Sequence, residues 1–146
     1  MSGTGDRAVA LARGWIGTPY RHQGSAKGAG CDCLGLLRGV WLELYGAEPV
    51  AVPPYTADWA EPEGRELLLE AAGRWLVRSA AAAPGDVLLF RMRAGSIAKH
   101  LGIAGAVGAA PSFVHAYGGH GVVESALTTP WRRRIVARFQ FPEGGA

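Results

Sequence analysis

Apolar residues recur at a helical period in the first half of the chain and at a strand period in the second. Ala8, Leu11, Ala12 and Trp15 fall at i, i+3, i+4 and i+7 on one helical face, with Thr4 placed to cap the start. Leu34, Leu37, Trp41 and Leu44 form the stripe of a second helix. A third helix is predicted over residues 63–77, burying Leu67, Leu68, Ala71 and Trp75. Beyond Pro84-Gly85 the pattern shortens to strands at 87–92, 101–104, 112–116, 122–125 and 135–141, separated by Gly, Pro and Ser. Helices first and strands afterwards predict an α+β domain, its helices packed on a mostly antiparallel sheet.

Two stretches rich in Pro and small residues, 46–64 and 79–85, interrupt this pattern, and no internal repeat is visible. The 146 residues, 49% of them hydrophobic, are expected to form a single domain over 1–146, with a core about 5–141 and a flexible tail 142–146. Lys and Arg number 15 against 12 Asp and Glu, for a net charge of +3, and the two signs are interspersed. That balance argues against a dedicated nucleic-acid binder. Arg132, Arg133, Arg134 and Arg138 form the one basic cluster, read as a solvated face or a contact with an acidic polymer or partner. The longest uncharged stretch, 101–123, is broken by Pro111 and several glycines, so no membrane span is expected. The first fifteen residues lack an apolar run of the signal-peptide kind, which leads us to expect synthesis in the cytoplasm without a signal peptide.

The candidate chemistry centres on the only two cysteines, Cys31 and Cys33, which are too close in sequence for an unstrained disulfide. They follow a Gly-rich loop, 24–30, and open the second helix. With Asp32 as N-cap, Cys33 sits in the first turn, where free N–H groups and the helix dipole favour a thiolate. The Asp32 charge opposes this, so a cationic partner is required. His100, at the head of the strand His100-Leu101-Gly102-Ile103, is the first candidate, and His115 on the next strand is placed to orient it. A buried structural thiol with surface histidines is the plain alternative. A zinc site of Cys31, Cys33, His100 and His115 is another, disfavoured because paired zinc cysteines usually have two to four residues between them and these have one. Cys31 reads as a small apolar filler, His22 and His120 as surface residues, and Trp41 and Trp75 as core.

These residues stand in six ordered blocks: Gly17-Thr18-Pro19-Tyr20-Arg21, Cys31-Asp32-Cys33-Leu34-Gly35-Leu36, Pro84-Gly85-Asp86-Val87, His100-Leu101-Gly102-Ile103, Phe113-Val114-His115-Ala116 and Pro130-Trp131-Arg132-Arg133-Arg134. The series resembles that of the NlpC-type cell-wall cysteine peptidases, above all the short versions encoded in phage tail modules and gene transfer agents. The resemblance implies a papain-like α+β fold with Cys33 as nucleophile, His100 as base and then acid, His115 as the third polar residue and Tyr20 beside the oxyanion. It implies substrate contacts at Asp32 and at Leu34, where the family often carries Ser. The implied substrate is the peptidoglycan stem peptide, typically cut at the D-γ-glutamyl bond to a diamino acid, with no cofactor. Hub or baseplate proteins of a phage-like particle are the implied partners, with action in the periplasm or cell wall. A tail protein with a vestigial peptidase fold, a cytosolic muropeptide-recycling peptidase and an acyltransferase remain the alternatives.

Overall fold

The computed structural model describes residues 3–48, 67–92 and 95–143. Helix α1 (Thr4–Arg13) leads into a small hairpin, β1 (Ser25–Ala26) and β2 (Gly30–Cys31), then helices α2 (Cys33–Tyr45) and α3 (Leu67–Trp75). Strands β3 (Val77–Arg78), β4 (Val87–Arg91), β5 (Ala98–Ala104), β6 (Ser112–Tyr117) and β7 (Gly121–Ala126) follow, and the short helix α4 (Thr129–Arg133) precedes β8 (Ile135–Gln140). The larger sheet runs β3-β8-β4-β5-β6-β7, and each of its neighbouring pairs is antiparallel. The expected α+β architecture is therefore present. Among the described residues no helix is long and apolar enough to cross a membrane.

The sheet is buried on both faces, which is why Val87 to Phe90 read as one continuous apolar run rather than an alternation. Val87, Leu89, Leu101, Ile103, Val114, Ala116 and Val122 belong to the core that the helices cover. Leu88, Phe90, Ala104 and Phe113 point the other way, into a second cluster closed by Leu127, Trp131 and Ile135. Strand β5 starts earlier than its apolar run, at Ala98, because the register shifts between Phe90 and Arg91 and absorbs Lys99.

Helix α1 buries Ala8 and Ala12 as predicted, with Trp15 just past its end. Its cap differs. Gly3 stands at the N-cap without a side-chain bond, while Thr4 lies inside the helix, its hydroxyl 3.2 Å from a Glu143 carboxylate oxygen. Tyr45 likewise donates to the Pro142 carbonyl at 2.6 Å. In α2 the fully buried row is Leu36, Val40 and Leu44, with Leu34, Leu37 and Trp41 only partly buried beside it. The predicted stripe is displaced because α2 packs on α1 as well as on the sheet, and Gly39 allows that approach. A Cβ there would collide with the indole of Trp15, whose Nε1 donates to Glu43 at 2.7 Å.

Helix α3 is shorter than predicted in its described part, and residues 63–66 and the Leu67 side chain lie outside the described residues. It buries Leu68, Ala72 and Leu76. Ala71 faces solvent and Trp75 is 38% exposed, which corrects the reading of both as core. The error is one step of helical register: a row of Leu, Ala and Trp satisfies either face until the sheet selects one.

Candidate active site

The N-terminus of α2 is held by short-range bonds that the Gly-rich loop makes. Ser25 pairs with Cys31 and Ala26 with Gly30 in the hairpin, and the Ser25 hydroxyl donates to the Gly35 carbonyl at 2.7 Å. Tyr20 lies alongside Cys31 in a parallel bridge, with Cys31 N–H donating to the Pro19 carbonyl and Arg21 N–H to the Cys31 carbonyl, both at 3.0 Å. That bridge brings Tyr20 to the head of the cysteine helix. Its side chain is 41% exposed, and its hydroxyl is pushed above its usual range first by partial burial and then by the Cys33 and Asp32 charges.

Asp32 caps α2 as expected. Oδ1 accepts from the Gly35 N–H at 2.8 Å, and Oδ2 accepts from the Gln23 N–H at 2.7 Å, with His22 Nδ1 3.8 Å away. Gln23 adopts a left-handed φ of 63° to make its bond. Both oxygens of this buried carboxylate are thus engaged within the chain.

Cys33 occupies the first helical position and is 7% exposed. Its thiol is pushed up to about 12, first by burial and second by the Asp32 charge, against hydrogen bonds from the backbone of Leu101, Leu34 and Cys33 that pull it down. The helix start does favour the anion, but removal from water outweighs it, so the thiol is neutral at rest. The bond to Leu101 sets the sulfur against β5, at the residue after His100.

His100 and His115 meet directly, with His100 Nε2 2.8 Å from His115 Nδ1. Phe90 faces His100 across β4 and β5, and Trp131 of α4 packs 5.8 Å from the His100 ring and 5.4 Å from that of His115. In this apolar box His100 is lowered to about 3 by burial and then by His115, while His115 is lowered to about 4 by burial and then by His120. Both imidazoles are neutral at neutral pH. His115 Nε2 continues the chain to the Ser125 hydroxyl at 2.9 Å.

Tyr20 and Cys33 therefore meet at the head of α2, and His100 and His115 meet in the aromatic box on β5 and β6, with the Leu101 backbone bonded to the Cys33 sulfur as the link between the two pairs. The structure shows no hydrogen bond between the Cys33 thiol and the His100 ring. Leu34 packs against the helix-covered core, and Cys31 is wholly buried in it. His120 is exposed and stacks on Tyr117 at 5.3 Å. Among the described residues no three His, Cys, Asp or Glu side chains converge as a metal site would require. Sequence reading missed Ser125, which reaches His115 only through the β6–β7 register, where it lies diagonally across from it. It also missed the part of Trp131 in closing the box.

A cysteine-headed helix against an antiparallel sheet that carries the histidine pair defines the papain-like class of α+β folds. Within that class the model of the NlpC/P60 family matches residues 17–139, and the chain belongs to that family. The NlpC/p60 domain of the peptidoglycan hydrolase SagA superposes with a TM-score of 0.61 at 27% identity, over 94% of this chain and 98% of that one. An NLP/P60-family protein similar to lipoprotein from Staphylococcus aureus subsp. aureus Mu50 gives 0.62 at 18% identity, and an NlpC/P60 protein from Bacillus cereus ATCC 10987 gives 0.61 at 17%. The alignments cover 97% and 94% of this chain but span 42% and 40% of those two proteins, so there the likeness is one of fold. No curated protein sequence matches the chain.

Proposed function

We propose that this chain is a cysteine peptidase that hydrolyses peptide bonds in peptidoglycan stem peptides. The observation that carries the reading is the placement of a buried Cys33 thiol at a helix N-terminus, bonded to the residue after His100, while His100 is itself bonded to His115. Membership of the NlpC/P60 family, and the likeness to the domain of a protein named as a peptidoglycan hydrolase, support the substrate class.

In this reading the Nδ1 of His100, the ring nitrogen that does not face His115, takes the Cys33 proton as the sulfur attacks the scissile carbonyl. The tetrahedral oxyanion lies beside the Cys33 backbone N–H and the Tyr20 hydroxyl. His100 then returns the proton to the leaving amine, and a water activated by the same imidazole hydrolyses the thioester. A neutral pair at rest fits general-base attack, because hydrogen bonds that are long in the free enzyme tighten only when substrate excludes water and aligns them. The D-γ-glutamyl bond to a diamino acid is the bond we assign, and Asp32, which already accepts from Gly35 and Gln23, would reach a substrate amine only through the remaining lone pairs of its carboxylate. We also assign the chain to a phage-tail-like particle, on the resemblance of its six blocks to the short tail-encoded versions. Detection of the protein in purified particles would support that assignment, and a purely cytosolic location would replace it with muropeptide recycling.

Incubation with purified muropeptides, with products resolved by mass spectrometry, tests the activity. The expected result is release of a fragment ending at the γ-glutamyl residue by wild type and none by Cys33→Ala. Equal cleavage by the two, or none by either, would sink the assignment.

A further inference from the structure

His115 has two ring nitrogens and two polar neighbours. Nδ1 lies 2.8 Å from His100 Nε2, and Nε2 lies 2.9 Å from the Ser125 hydroxyl. Aromatic rings pack around it, with Phe113 centred 4.1 Å away, Tyr117 5.3 Å and Trp131 5.4 Å, and His120 acts on it electrostatically. On the β5 side the backbone approaches closely at Gly102, where a Cβ would come within 3.2 Å of the His115 Cβ and 2.7 Å of the Phe113 ring.

A neutral imidazole carries one N–H, so the chain Ser125–His115–His100 has two arrangements in which both hydrogen bonds are made. In one, His100 Nε2–H donates to His115 Nδ1 and His115 Nε2–H donates to Ser125 Oγ, leaving a lone pair on His100 Nδ1. In the other every proton runs the opposite way, and His100 Nδ1 carries hydrogen and cannot act as a base. The first arrangement also serves once His100 has taken a proton, because Nε2–H goes on donating to His115 while Nδ1 holds the new one. The second would need a donor-to-donor contact at that stage.

We infer that Ser125 is a positioning residue for the reaction: of the two arrangements its hydroxyl can complete, the one that survives protonation of His100 has Ser125 accepting the Nε2 proton of His115, which leaves the Nδ1 lone pair of His100 available. No bond in the substrate depends on Ser125; it acts through His115. The inference rests on the peptidase reading for its consequence, but its physical content, the tautomer of His115, is a property of the free protein.

Nitrogen NMR of protein with isotopically labelled histidine reads that tautomer directly. In wild type the His115 proton is expected on Nε2. In Ser125→Ala the signal is expected to move toward the Nδ1-protonated form, and kcat on muropeptides to fall about tenfold, the scale of one hydrogen bond, with KM little changed. Ser125→Thr, which keeps the hydroxyl, is expected to restore both. Ser125 is only half-buried on β7, so the alanine variant is expected to fold, which the dispersion of the same spectra checks. An unchanged His115 tautomer in Ser125→Ala overturns the inference, as does a Ser125→Thr variant that behaves like alanine. A tautomer shift in a protein that fails to cleave muropeptides supports the role of Ser125 toward His115 and overturns only the substrate reading.

Discussion

A thiolate at Cys33 is opposed first by burial and then by the charge of its neighbour Asp32, and together these set the resting state of the site. Burial and the Asp32 carboxylate hold the thiol neutral despite the N–H groups aimed at it, and burial holds His100 neutral as well. Iodoacetamide alkylation of Cys33 is therefore expected to be slow at neutral pH and to keep rising through the alkaline range, with Cys31 unreactive in the folded protein. Mass-spectrometric mapping of the modified cysteine across pH checks this; a rate already level at pH 7 would show a preformed ion pair instead. Tyr20 is accessible enough to touch a ligand, and it is held beside Cys33 by the bridge to Cys31. Replacing it by Phe keeps that bridge and removes only the hydroxyl. The expected loss is about 10²-fold in kcat, the size found for one oxyanion donor, with KM much less affected, by steady-state assay on a muropeptide. Cys33, His100 and His115 stand out as candidates in the chain because a cysteine behind an Asp cap and two histidines on successive apolar strands are local patterns, whereas Tyr20 enters only through the resemblance. Ser125 was not, since a serine in Val122-Val123-Glu124-Ser125 has no distinguishing feature until β7 pairs with β6.

At the scale of elements, what matters is how closely α2 approaches its neighbours, because its N-terminus carries the nucleophile. Trp15 rests where a side chain at position 39 would be, so Gly39→Ala forces the indole off its seat and weakens its bond to Glu43. Overpacking of this kind costs about 1–3 kcal/mol, expected as a lower urea midpoint with an unchanged slope. An unaltered midpoint would show that α1 yields without cost. The long strands and the helices α1 and α2 were readable because their apolar periods extend over several turns or residue pairs. The failures have the opposite cause. Two-residue strands such as β1, β2 and β3 are too short to show a period, and α4 has five residues. In α3 two apolar rows compete, and only the sheet chose Leu68, Ala72 and Leu76 over Ala71 and Trp75.

For the whole molecule, burying two neutral histidines couples folding to pH. The unfolded chain takes up protons at both near the ordinary value of 6.5, whereas the folded chain resists until about 4 at His115 and about 3 at His100. The unfolded state thus binds more protons across that interval, and stability, full above pH 6.5, falls as the solution is acidified toward 4. Glu124, held below its usual range chiefly by its bond from Arg13, adds a loss in the same direction but only below its ordinary 4.5. Calorimetry is expected to show the unfolding temperature dropping between pH 7 and 5, with a smaller drop in His115→Gln, which removes one of the two groups. An equal drop in that variant would place the acid sensitivity elsewhere.

The sequence by itself determined the α+β class, the cap at Asp32, the cysteine that opens α2 and the order of the family blocks, because each of these is written in neighbouring residues or in short periods. The tertiary structure alone decided which nitrogen of His100 is engaged, that Ser125 ends the polar chain, that Trp131 closes the box, and that Cys33 rests as a thiol. Those outcomes depend on strand register and on exclusion of water, and both arise only when residues distant in the chain are packed together.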